Sequence, residues 1–91
     1  MMISIAQLAR VREFLGGVLE GLGLDAYLFE IEPRDGQWEM RVECAIQGGW
    51  ESVNRTLDGD LLLKSIEDEQ LKQRLIAELE QSLGHCVRRD G

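Results

Sequence analysis

Long apolar runs are missing from this sequence: none approaches the roughly 18 residues needed to cross a bilayer. The start, "MMISIAQLARVREF", lacks both the basic opening and the unbroken apolar stretch of a secretion signal. Cysteine is scarce. Cys44 and Cys86 alone do not make a disulfide scaffold, so a reduced, cytoplasmic protein is the expectation. Positive charge is in deficit: 10 Lys and Arg stand against 17 Asp and Glu, for a net charge of −7. Such a chain repels a phosphate backbone unless its cations are gathered in one patch. Repeats, linkers and low-complexity segments are also absent, and 91 residues suffice for one core but not two. Composition therefore disfavours both membrane insertion and nucleic-acid binding.

What is present is ordinary for a folded domain, with 44% hydrophobic and 30% charged residues. Ser4 with Gln7 forms a capping box, and Ile3 and Leu8 stand at staple spacing around it. Ile5, Leu8, Val11, Leu15, Val18, Leu19 and Leu22 then share one helical arc, and Gly23 supplies a stop. This predicts a helix over 5–22. In "DAYLFEIE", Tyr27, Phe29 and Ile31 alternate with Ala26, Leu28 and Glu30, the period of a strand. "PRDG" has turn chemistry, and "QWEMRVECAIQ" alternates again, with Trp38, Met40, Val42, Cys44 and Ile46 on one side. Gly48-Gly49 suits a two-residue hairpin into a third strand from Trp50 to Leu57.

After "DGD" the period becomes helical. Asp60 is placed to cap a short turn and Ser65 a longer helix, with Asp68 and Lys72 paired on its wet side. Leu71, Leu75, Ile76, Leu79 and Leu83 form its stripe, ended by Gly84. The expected architecture is α+β, an α-β-β-β-α two-layer sandwich. Its sheet is a three-stranded antiparallel meander with both helices on one face. One domain covers 1–84, and 85–91 is a loose polar tail.

Register then assigns each side chain a face. A turn over Pro33–Gly36 pairs Glu32 with Gln37, and a Gly48-Gly49 turn pairs Gln47 with Trp50. Both leave Val53 and Leu57 on the core face and Trp50 on the open, acidic face. A one-residue slip would bury Ser52, Asn54 and Thr56 instead, each at a cost of about 1–3 kcal/mol without partners. Trp50, Leu28, Arg41 and Ala45 are thus the candidate partner-binding residues, an aromatic anchor in a polar rim. The competing reading is a bulge that rotates Trp50 inward. Phe14, Gly17 and Gly21 lie together on the first helix, away from its main stripe, and could accept a second helix.

Chemistry finds no foothold. The glycines of "GGVLEGLG" end a helix, whereas a phosphate cradle needs them before one. Asp58, Asp60 and Glu69 fit three positions of a calcium loop, but Leu63 stands where glycine is required. His85-Cys86 offers two adjoining metal ligands where zinc needs four, and no third group orients them as a nucleophile pair. Glu30, Glu39 and Glu43 lack the apolar surroundings that tune a general acid. No catalytic residue, metal, cofactor or small-molecule ligand is inferred.

The α-β-β-β-α order is similar to that of double-stranded-RNA-binding domains, which touch RNA through a lysine-rich start of the second helix. The matching stretch here, "SIEDEQLKQR", opens with acids. That likeness implies, as an alternative function, an accessory factor of the nucleic-acid machinery. Order, size and an isoelectric point near 4.6 also resemble acidic secretion chaperones, whose later strands are missing here. The expectation is a small acidic protein-binding module, adaptor-like or chaperone-like, that captures a protein partner or a second copy of itself.

Overall fold

A computed structural model describes residues 4–89. The elements run α1 (Ile5–Gly21), β1 (Tyr27–Arg34), β2 (Gln37–Ile46), β3 (Gly49–Asp58), α2 (Gly59–Glu67) and α3 (Glu69–Ser82). The strands form an antiparallel sheet in the order β1-β2-β3, and the helices cover one face of it. This is the expected α+β sandwich, with the second helix divided in two.

The first helix begins as its sequence dictates: the Ser4 hydroxyl accepts from the Gln7 N–H, and the Gln7 side chain accepts in return from the Ser4 N–H. The proposed staple residue Ile3 lies outside the described residues. Val11, Leu15, Val18, Leu19 and Leu22 are buried as their spacing predicts, Leu8 is half-buried, and Ile5, the first residue of the helix, is exposed.

The first hairpin is tighter than its sequence suggests, and the second has the expected two-residue length but turns one residue earlier. Asp35 and Gly36 alone make the first turn, with φ of 51° and 78°, the two positive values a type I′ turn requires. Arg34 therefore pairs with Gln37, Ile31 with Met40 and Phe29 with Val42. Pro33 lies within β1 rather than in the turn, which is tolerable because β1 is an edge strand. Gln47-Gly48 makes the second turn, with positive φ only at Gly48, and Trp50 pairs with Ala45 instead of Gln47. Each expected register is off by two residues. An even shift changes partners but not faces, so the assignment of core and open sides survives.

The helical half differs from expectation at its caps. The third strand runs directly into α2, so its last residue, Asp58, is the N-cap and accepts from Leu61 N–H at 2.9 Å. Asp68 breaks the helix and caps α3 through Gln70 and Leu71. Neither Asp60 nor Ser65 is a cap. Ser65 is buried within α2, and its hydroxyl donates back to the Leu61 carbonyl at 2.8 Å.

The two cysteines are joined. Cys44, fully buried on β2, forms a disulfide with Cys86, their Cα atoms 5.6 Å apart. This corrects the expectation of free thiols: α3 returns the chain to the end of the sheet where Cys44 sits. Residues 85–89, expected as a loose tail, lie against the fold. Val87 N–H donates to the Ala45 carbonyl, Asp25 N–H to Val87, and Arg89 N–H to Gly23.

Candidate functional site

The open sheet face is set out in rows by the observed register. Leu28 stands opposite Glu43, and Glu43 opposite Ser52; Trp50 stands opposite Ala45. Pairing is unbroken from Gly49 to Asp58, so no bulge turns Trp50 inward. Trp50 is 61% exposed and Leu28 is 65% exposed, while Ala45 is half-buried. Leu28, Glu43, Trp50, Glu51 and Ser52 line one shallow open depression. The anchors expected from sequence are therefore brought together at one end of the sheet.

Charge on this face is uneven. Arg41 is taken up by Glu30, with a hydrogen bond of 2.8 Å. Arg34 bridges Glu32 and Glu39 at 3.6 and 3.4 Å, which relieves the like-charged pair. These pairs are exposed and contribute little to stability. Arg41 lies one row beyond the apolar end and already has a carboxylate, so it borders the depression rather than lining it. Glu43 differs: among the described residues it has no ion-pair partner, and it stands between Leu28 and the Trp50 row. The result is a negative, apolar-walled depression. The sequence presents Glu43 only as a poor candidate acid, because its place between two apolar side chains follows from register across three strands.

Phe14, Gly17 and Gly21 also meet, along an open groove between α1 and α3 whose far side includes Ile76 and Lys72. A methyl group on either glycine would meet nothing within 4 Å, so no neighbouring helix requires the glycines there.

At the C-terminal end of α1, Glu20 accepts from the Tyr27 hydroxyl and from Arg89, each at 3.1 Å. The Arg89 hydrogen bond, with help from Tyr27, holds the Glu20 carboxyl below its usual value near 4.5. Partial burial, then the neighbouring carboxylate, pushes Tyr27 above 10. This cluster ties the C-terminal segment down. His85-Cys86 offers neither a metal ligand pair nor a thiol, since Cys86 is in the disulfide. The starts of α2 and α3, at Asp58-Asp60 and Asp68-Glu69, are acidic. No protein-family model, curated protein or solved structure matches this chain.

Proposed function

We propose that this protein is a small binding module, without a catalytic role, that captures a protein partner on its open sheet face. The single observation behind this reading is the exposed pair Trp50 and Leu28, held rigidly on a regular sheet around the unpaired carboxylate of Glu43. Rigid aromatic anchors lose little entropy on docking, and a central desolvated charge selects a partner of opposite sign. The partner that fits is a segment carrying apolar side chains beside Lys or Arg. An arginine there can reach Glu43 and lie over the Trp50 ring.

The cytoplasmic placement expected from sequence rests on free thiols, and the Cys44–Cys86 bond removes that ground. Among the described residues, no helix is long and apolar enough to cross a membrane. The alternative, an accessory factor of the nucleic-acid machinery, draws no support from the acidic helix starts.

The test is selection of displayed peptides on immobilised protein, with counter-selection on Trp50→Ala. Selected peptides should be basic and amphipathic, and should protect Trp50 fluorescence from acrylamide. They should lose roughly thirtyfold or more in affinity for Trp50→Ala, the scale of a hot spot. If no peptide distinguishes the two proteins, the face is not a binding site.

A further inference from the structure

The two edges of the sheet are unequal. On β1, Pro33 places a ring where an outward N–H would stand. The chain leading into that strand is engaged by the C-terminal segment: Asp25 N–H meets Val87 at 2.9 Å and Arg89 N–H meets Gly23 at 2.7 Å. The β3 edge has neither protection. It runs from Gly49 to Asp58 without proline or bulge, and among the described residues no backbone beyond β2 pairs with it. Exposed edges of this kind template further strands.

Its outward groups can be identified. Ala45 N–H donates to Ala26 at 3.0 Å, so Ala45 turns its backbone toward β1 and away from β3. Ala45–Trp50 is then a non-bonded pair, and the N–H and C=O of Trp50 point outward. The same alternation sends the backbone groups of Ser52, Asn54 and Thr56 outward. A further strand can bond only to these.

We propose that the β3 edge pairs with β3 of a second copy, antiparallel and centred on Val53, joining two sheets into one. In this register Trp50 bonds to Thr56 of the other copy and Ser52 to Asn54, each reciprocally, so every outward group meets another. On the helix side Val53 meets Val53, and Glu51 meets Arg55 twice over. The charges select this register. Sliding two residues either way sets Glu51 against Val53 or Leu57, and a one-residue slide points outward groups at inward ones. The participants are prepared for it. Glu51 has no ion-pair partner among the described residues, while Ser82 at 2.8 Å and Glu78 at 3.6 Å hold the Arg55 guanidinium on the helix side. Val53 is half-buried at the margin of its own core, and a second valine would complete its cover. The pairing uses the strand edge, and stands apart from the partner reading, which uses the sheet face.

Sedimentation velocity on a dilution series up to roughly 1 mM, the weak end of specific association, tests it. Wild type should pass from monomer to dimer. Asn54→Pro, which removes one outward N–H, should be monomeric with an unchanged circular dichroism spectrum. Glu51→Arg and Arg55→Glu should each weaken dimerisation tenfold or more, as like charges then meet at two places. Mixed in equal amounts, these two variants should form a heterodimer. At one place the two introduced side chains, of opposite charge, then face each other, and at the other the native Arg55 of the first variant faces the native Glu51 of the second. A wild type that stays monomeric, or a dimer that survives Asn54→Pro, overturns the proposal. So does a mixture of charge variants that associates no better than its components. Should Asn54→Pro fail to fold, the mixture decides.

Discussion

Two tryptophans in similar strand sequence have opposite environments. Trp38 is fully buried under the helices, and its indole N–H is enclosed without a protein acceptor. Replacing it with Phe deletes both the unpaired donor, worth about 1–3 kcal/mol, and part of the packing. The expected outcome is a urea-unfolding stability within about 1 kcal/mol of wild type, whereas Trp38→Ala should lose about 3–5 kcal/mol. Trp50→Ala, by contrast, should change stability by no more than about 0.5 kcal/mol while abolishing peptide selection. A loss of several kcal/mol in the melt would place Trp50 in the core. The opposite fates of these residues were legible in the sequence because Val53 and Leu57 fix which side of the third strand is buried. The orphan N–H was not, since it depends on what α2 brings over the indole.

At the scale of elements, the strands and the first helix were readable because periodicity and caps are local. The registers were not, because a two-residue turn and a four-residue turn share the same "PRDG" text, and only backbone angles separate them. The Asp58 cap was likewise hidden: nothing in the sequence says that a strand passes into a helix without a loop. That direct passage presses the first residue of α2 against the first hairpin. Gly59 is buried, and a methyl group there would fall inside the van der Waals contact of the Gly36 carbonyl. Gly59→Ala should therefore destabilise by about 1–3 kcal/mol, although alanine is the better helix former. A thermal melt no lower than wild type would mean that turn and helix move apart freely.

For the whole molecule, the decisive contact is the one least visible in sequence. Cys44 and Cys86 are separated by 42 residues, and their meeting depends on where α3 delivers the chain. Reducing the bond should cost about 4 kcal/mol in the chain-entropy view of a loop this size, measured as the urea midpoint with and without dithiothreitol. Equal midpoints would show that the C-terminal segment is held by its other contacts.

Those other contacts are sensitive to acid. The folded Glu20 carboxyl titrates below its unfolded value, so its contribution is complete above about 4.5 and is lost as pH falls through the lower folded value. Tyr27 is shifted the other way. Its contribution is complete below about 10 and is lost as pH rises through the higher folded value. Amide exchange at Val87 and Arg89, corrected for intrinsic rate, should be slow between these limits and accelerate below the acid one. Exchange indifferent to pH down to about 3, below the usual carboxylate range, would remove Glu20 from the fastening.

The disulfide also partitions the chain covalently. From Cys44 through β3, α2 and α3 to Cys86 the polypeptide is a closed ring, from which α1, β1 and most of β2 emerge as a single linear arm. A peptide bond cut anywhere inside the ring leaves one connected molecule, while a cut in the arm releases a fragment. New chain ends or inserted sequences can thus be accepted between Cys44 and Cys86 without the halves parting, which makes the exposed α2–α3 junction at Asp68 the natural seam of this fold.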